Sequence, residues 1–188
     1  VPGDASLRLG APEAVRRDPD LLARAREAEP EALLVYKPHP DVLSGNRAGT
    51  EDCAAAQAIA DATVTHAPMP ELYRRVHAVH TMTSLAGFEA LLRGLQVTAW
   101  GQPFYAGWGL TTDRAPLARR TARLSLDDLV AGALIHYPRY HDPDSGYPCT
   151  AEDVAAMLGA GGPVSVARTA KPERLLRRLL SRLAGSPG

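Results

Sequence analysis

Short apolar runs separated by stretches of helical period dominate the chain from residue 17 to residue 100. Residues 17–29 carry Leu21, Leu22 and Ala25 on one helical face, with Asp18-Pro19 as a cap and first-turn signal. Leu33 to Tyr36 is a continuous apolar run, the pattern of a strand covered on both faces in a parallel sheet. It stops at Lys37-Pro38-His39-Pro40, where two prolines forbid both helix and ladder. Beyond it the pattern predicts a helix over 51–59, a strand over 62–65, a short helix over 69–75 and a strand over 76–80. An apolar helix over 85–93 and a strand over 97–100 follow. This alternation with short connections predicts an α/β fold built on a Rossmann-like, doubly wound parallel sheet.

Residues 101–113 read as a loop rich in glycine and aromatic residues. Ser125 caps a helix running to Ile135, with Asp127 and Asp128 in its first turn, where negative charge favours the helix dipole. A proline-rich irregular segment over 137–148 precedes a helix over 150–158. The pattern therefore predicts one domain over residues 1–160. Residues 161–188 supply a linker and an amphipathic carboxyl-terminal helix, with Leu175, Leu176, Leu179, Leu180 and Leu183 on one side and basic residues on the other.

Composition narrows the function classes. A length of 188 residues suits one domain with its own core. Twenty-one basic and 21 acidic residues cancel, so no global field would recruit nucleic acid, and any anion has to be bound locally. The two cysteines, Cys53 and Cys149, lack metal or redox spacing and are expected to be reduced thiols in a cytoplasm. No secretory leader or membrane-spanning run is visible, and the start at Val1-Pro2-Gly3 suggests a piece of a longer protein.

In an open parallel sheet, ligands gather at the carboxyl ends of the strands, and three polar clusters fall there. Lys37-Pro38-His39-Pro40 holds a cation and an imidazole in a rigid turn suited to a phosphate or a sugar carboxylate, although the same residues also describe a prolyl turn with an exposed histidine. His80-Thr81-Met82-Thr83-Ser84 lies between a strand and a helix, so that the hydroxyls of Thr83 and Ser84 and first-turn N–H groups face an anion at the positive helix end. Glu89, a turn and a half on, is placed to accept hydrogen bonds from ribose hydroxyls; an ordinary N-cap and a solvated Glu89 is the plainer reading. In the third cluster, Gly101 to Gly109, Gln102, Tyr105 and Trp108 offer a surface for a base or sugar ring, or pack over the sheet edge. No Walker loop or dinucleotide fingerprint is present.

The string from Val79 through Thr83-Ser84-Leu85-Ala86-Gly87-Phe88-Glu89 to Leu92, followed by Val97 to Thr111 with Gly101-Gln102-Pro103-Phe104-Tyr105-Ala106-Gly107-Trp108-Gly109, resembles the capsule polysaccharide synthesis and export family. Tyr137-Pro138-Arg139-Tyr140 with Asp142-Pro143, and Lys37-Pro38-His39-Pro40-Asp41, are similar too, so the likeness spans roughly residues 4–158. That family comprises retaining beta-Kdo transferases using CMP-Kdo. The resemblance implies the donor-binding half of a GT-B glycosyltransferase that acts on a capsular saccharide or glycolipid acceptor, with a second, amino-terminal Rossmann-like domain as its partner. It implies that Asp4 is the carboxylate nucleophile of a double displacement and that His39 assists the departing phosphate. Pro40, Thr83, Ser84 and Glu89 would contact the nucleotide, with Lys37 offsetting charge so that no metal or other cofactor is required.

A UDP-sugar-dependent GT-B enzyme or epimerase, and a non-catalytic interaction module of capsule export, are the competing readings. Alone, this chain is expected to bind CMP or CMP-Kdo weakly and to show negligible transfer. The Leu175 helix is expected to pack on a domain, with peripheral association with the inner membrane as the alternative.

Overall fold

The computed structural model describes residues 15–38, 50–115 and 117–160, with the backbone alone at residues 50 and 51. The predicted linker and Leu175 helix lie outside the described residues. The chain divides into two compact units, Val1–Val130 and Ala131–Gly188.

The first unit opens with α1 (Asp18–Ala28), β1 (Val35–Tyr36), α2 (Thr50–Ile59) and β2 (Ala62–Thr63). Helix α1 starts where Asp20 accepts from the backbone N–H of Arg17, and its first turn carries Asp18 and Asp20 while Arg26 lies in the last, charges that complement the dipole. Leu22 and Ala25, one turn apart, are buried, and Leu22 packs with Tyr36, Cys53 and Ala56 into a core shared by α1, β1 and α2. The Tyr36 hydroxyl donates to Asp18 at 2.6 Å, fastening the end of β1 to the start of α1. Strands β1 and β2 pair in parallel, Val35 with Ala62 and Tyr36 with Thr63. The first strand is shorter than its apolar run suggests: Leu33 is 76% exposed, because the chain has not yet entered the sheet there.

Next come α3 (Met69–Tyr73), β3 (Ala78–Thr81), α4 (Leu85–Leu91), β4 (Gln96–Ala99) and β5 (Thr112–Asp113). Strands β3, β4 and β5 form a parallel sheet in that order, with Thr81 opposite Ala99 and Ala99 opposite Asp113. In place of one continuous doubly wound sheet, hydrogen bonding thus gives a parallel pair and a parallel triplet, since β1 and β2 are only two residues long. Side chains alternate across the triplet. Val79 and Val97 point to the core built on Phe88, Ala90 and Leu91 of α4, whereas His80 and Trp100 lie on the opposite face, where Trp100 and Leu21 of α1 pack against the cluster of Val15 and Met82. Strand β5 falls inside the predicted loop; its Thr112-Asp113 pair has no apolar pattern and is set only by pairing with β4.

Helix α5 (Leu126–Val130) ends the unit. Ser125 and Asp128 exchange hydrogen bonds at its start, as the predicted cap requires. The predicted continuation to Ile135 is not α-helical: Ala131–His136 widens to a π-helix, with the Tyr137 N–H reaching back to Gly132. In this second unit β6 (Tyr140–His141) and β7 (Pro148–Cys149) form an antiparallel hairpin within the segment predicted as irregular. Asp142 turns it by accepting from the N–H groups of Asp144 and Ser145, and Pro148 is tolerated at the edge of a two-stranded ladder. Helix α6 (Ala151–Gly159) follows, capped reciprocally by Thr150 and Asp153. Among the described residues no helix is long and apolar enough to cross a membrane.

Gly87 is the most crowded of the described glycines. A Cβ there would collide with the Tyr105 hydroxyl and lie 2.7 Å from its Cζ, and Tyr105 is fully buried and hydrogen-bonded, so the ring has nowhere to go. Helix propensity favours alanine over glycine by about 1 kcal/mol, while overpacking a core costs about 1–3 kcal/mol, so the clash decides the sign. Gly87→Ala is expected to lower the melting temperature by several degrees, at roughly 2–4 °C per kcal/mol for a chain of this size. Adding Tyr105→Phe should restore part of the loss, and differential scanning calorimetry of the two variants checks both outcomes.

Candidate functional site

The carboxyl ends of β3 and β4 meet at the first turn of α4. Thr81, the last residue of β3, is buried and accepts the Ser84 N–H on its hydroxyl at 3.3 Å. Ser84 is the N-cap: its side chain accepts from the Ala86 N–H at 3.2 Å, and its carbonyl accepts from the Gly87 N–H. The open fan of first-turn donors expected from sequence is therefore narrower. The Ser84, Ala86 and Gly87 amides are satisfied within the fold, which leaves the Leu85 N–H and the hydroxyl protons of Thr83 and Ser84 to meet an anion. Ser84 is exposed and Thr83 half-buried. Gly101 abuts this turn, since a Cβ on it would lie 2.8 Å from the Met82 carbonyl oxygen and 2.9 Å from Thr83 Cγ2. Thr83, Ser84 and the Gly101-Gln102 segment are thus brought to one edge of the sheet.

Two buried phenols hold this turn from beneath. The Tyr105 hydroxyl donates to the Ser84 carbonyl at 2.5 Å, and the Tyr73 hydroxyl donates to the Ala86 carbonyl at 3.0 Å. Burial raises the pKa of both, that of Tyr73 to about 12 with the Glu89 charge as the next cause, so both remain donors at neutral pH. Tyr105 corrects the expectation of an exposed ring platform. It is 0% exposed, stacked on Phe88 and edge-on to Phe104, because the loop folds inward over α4 instead of outward. Trp108 is also spent on the loop: its indole N–H donates to the Phe104 carbonyl at 2.8 Å, and the Arg120 guanidinium lies 5.2 Å from its ring centre. Arg120 donates further to the Pro103 and Ala106 carbonyls, and Gly107 and Gly109 adopt φ of 80° and 83°. Those glycines serve left-handed turns of the loop itself.

Glu89 lies one turn further along α4 and is half-buried. Its Oε2 accepts from the Tyr73 hydroxyl at 3.3 Å, so it is not the solvated side chain of the plainer reading. Arg93, four residues on, gives its guanidinium to the Glu89 backbone carbonyl and to the face of the Tyr73 ring, 4.8 Å from its centre. Lys37 stands after β1, in the other strand pair, and donates to the Thr65 carbonyl at 2.7 Å. That bond straps the ends of β1 and β2 and uses one of the three ammonium protons. Asp4, His39 and Pro40 lie outside the described residues.

Sequence reasoning placed His80 and Thr81 in the second cluster without their contacts, and missed Tyr73, Arg120 and the partnership of His80 with Trp100. The Trp100 indole N–H donates to His80 Nδ1 at 3.2 Å, which fixes the neutral tautomer with its proton on Nε2. Burial lowers the His80 pKa; Glu29 opposes that shift and Arg114, 5.5 Å from the Trp100 ring centre, adds to it. Among the described residues no three His, Cys, Asp or Glu side chains converge on a metal position. A cleft of about 400 Å³ in the second unit is lined by Arg139 and Tyr140 of the Tyr137–Tyr140 motif together with His141, Cys149 and Glu152, and contains none of the candidate catalytic or substrate-binding residues.

The model of the family described as "Capsule polysaccharide biosynthesis protein" matches residues 1–141. This chain belongs to that family. The motif likeness read from residues 79–111 is therefore upheld. A capsule relative, the capsule polysaccharide modification protein LipA of Neisseria meningitidis serogroup B, is 49% identical over 162 residues, which cover 84% of this chain and 23% of LipA. The lipopolysaccharide-processing protein LpsZ of Rhizobium meliloti is 43% identical over 140 residues, 74% of this chain and 32% of LpsZ. Among solved structures, KpsC of Thermosulfurimonas dismutans described as a beta Kdo 2,7 transferase superposes with a TM-score of 0.74 at 40% identity, over 84% of this chain and 50% of that one. The KpsC structure from the same organism described as a beta Kdo 2,4 transferase gives 0.71 at 33% identity, over 83% and 48%. The chain thus spans about a quarter to a third of these curated relatives and about half of the solved chains.

The His80 tautomer carries a pH consequence for this capsule-family domain. With its folded pKa depressed, the unfolded chain takes up a proton on His80 that the folded chain refuses as pH falls below the ordinary imidazole value near 6.5. That part of the stability is present above the window and lost on acidification. The melting temperature should fall between pH 7.5 and 5.5, and His80→Asn, which keeps an acceptor for Trp100 but cannot titrate, should flatten the fall in a series of thermal melts.

Proposed function

We propose that this chain is the nucleotide-sugar-binding half of a GT-B glycosyltransferase that transfers Kdo from CMP-Kdo to a capsular saccharide or glycolipid acceptor. The observation that carries the reading is the superposition on half of a beta Kdo 2,7 transferase at 40% identity and a TM-score of 0.74. The Thr83-Ser84 turn supports it, because a narrow set of donors at a strand-to-helix junction suits a single phosphate. In this reading the Thr83 and Ser84 hydroxyls and the Leu85 N–H hold the CMP phosphate, Glu89 accepts from the ribose hydroxyls, and Gln102 faces the donor from the neighbouring loop. Trp108 belongs with Tyr105 to the frame beneath.

The chemistry assigned by motif is a double displacement. The Asp4 carboxylate attacks the anomeric carbon of Kdo as the bond to the CMP oxygen breaks, and the acceptor hydroxyl, giving its proton to a base of the second domain, then displaces Asp4, so that two inversions give retention. His39 gives a proton to, or offsets the charge of, the departing phosphate, with Lys37 and the start of α4 adding positive potential; the reading requires no metal. A second Rossmann-like domain supplies the acceptor site. In this reading the reaction takes place in the cytoplasm, with peripheral association with the inner membrane as the alternative.

Thermal melts of the protein that carries this chain test the donor. CMP should protect more than UDP at equal concentration, and equal protection by UDP would instead favour a UDP-sugar enzyme or epimerase. Thr83→Val, isosteric and outside the cap, should weaken CMP binding about tenfold, the lower end for a hydrogen bond to a charged oxygen, while leaving the melting temperature unchanged. Asp4→Asn should retain CMP binding and lose transfer in a labelled-donor assay. Full transfer by Thr83→Val and His39→Ala would point to an interaction module.

A further inference from the structure

Glu89 and Tyr73 come from different helices, α4 and α3, and meet across a buried contact. Tyr73 is the last residue of α3 and only 3% exposed, so its ring cannot change rotamer without opening the core it shares with Phe88 and Leu91. Its one hydroxyl proton is directed between the Ala86 carbonyl, at 3.0 Å, and Glu89 Oε2, at 3.3 Å. The remaining glutamate oxygen, Oε1, takes no hydrogen bond from the described residues. The nearby cation does not compete for it. Arg93 could have formed an ordinary four-residue ion pair with Glu89. Its guanidinium instead takes the Glu89 backbone carbonyl at 2.7 Å and the Tyr73 ring, and among the described residues Glu89 has no ion-pair partner.

An unpaired carboxylate on a long side chain normally samples several rotamers, and fixing them on ligand binding costs affinity. From this arrangement we infer that Tyr73 is a positioning residue that orients Glu89 toward the sugar of a bound ribonucleotide and so sets the preference for ribose over deoxyribose. The inference rests on the proposed reading of Glu89 as a ribose acceptor and adds what holds that acceptor in place. One phenol both fixes the α4 turn and restricts the carboxylate, leaving Oε1 for a hydroxyl pair on the ligand. Phenylalanine at this position keeps the ring, and with it the contacts to Phe88 and Arg93, and removes only the O–H.

The test compares the binding of CMP and 2′,3′-dideoxy-CMP to the full-length protein by calorimetry, for wild type, Glu89→Gln and Tyr73→Phe. The wild type should prefer CMP about tenfold or more, as expected for hydrogen bonds to a charged acceptor, and Glu89→Gln should remove most of that preference. Tyr73→Phe should reduce the ratio of the two affinities roughly threefold to tenfold, beyond any loss common to both nucleotides from loosening the α4 turn. A Tyr73→Phe protein that keeps the wild-type preference, or that loses affinity for both nucleotides equally, overturns the positioning role. A wild type with no preference, or a Glu89→Gln protein that retains it, overturns the ribose reading itself. Should Tyr73→Phe not fold, Tyr73→Met, which fills the space flexibly and also lacks the donor, reads the same ratio.

Discussion

The structure turns on the clamping of one helical turn between two buried hydroxyls. Tyr105 and Tyr73 donate to the carbonyls of Ser84 and Ala86, from a loop after β4 and from a helix before β3. Each such bond contributes about 1 kcal/mol net, but a buried phenol left without an acceptor costs about 1–3 kcal/mol, so the arrangement is enforced more by the alternative than by the gain. Gly87 makes it sterically feasible, because only a residue without Cβ lets the Tyr105 ring approach α4 so closely. The turn that faces outward with Thr83 and Ser84 is thereby fixed from inside.

That rigidity has a functional side. In the proposed reading the Thr83-Ser84 turn is an anion seat of hydroxyls and one amide, which gains little from each contact unless the donors are already placed when the ligand arrives. Here the sheet register sets β3 against β4, Thr81 takes the Ser84 amide, Gly101 abuts Thr83, and the two phenols hold the carbonyl side. The same economy explains the glycine- and aromatic-rich loop. Its rings build the wall behind the turn, with Arg120 gathering the Pro103 and Ala106 carbonyls and covering Trp108.

Most elements of the first unit were legible from the pattern of apolar residues, because each long enough helix or strand buries a face. Leu22 and Ala25 of α1 and Val79 and Val97 of the triplet are examples. The pattern failed where an element buries nothing by itself. Strand β5 and the β6–β7 hairpin are two residues per strand and are defined by hydrogen bonds to neighbours, and the π-helix at Ala131–His136 has no buried residue to hold an α-helical register. Thr83 and Ser84 were placed correctly at the strand-to-helix turn, and Glu89 on the helix that follows, because position after a strand can be read from local pattern. Tyr105 was misplaced because an aromatic between glycines has the same local signature whether its ring turns to solvent or to the core.

By itself the sequence determined the α/β alternation, the helix starts written by Ser84, Ser125 and Thr150, and membership of the capsule polysaccharide biosynthesis family, since all of these are carried by local chemistry and by the order of motifs. Only the tertiary structure decided which aromatic rings support and which face outward, that Lys37 straps Thr65, and that Glu89 shares the Tyr73 hydroxyl. These depend on contacts between residues 13 to 28 positions apart, as in the Tyr73–Ala86, Tyr73–Glu89, Tyr105–Ser84 and Lys37–Thr65 pairs. A hydrogen bond of that span is selected by which groups are buried together, and burial is a property of the packed chain.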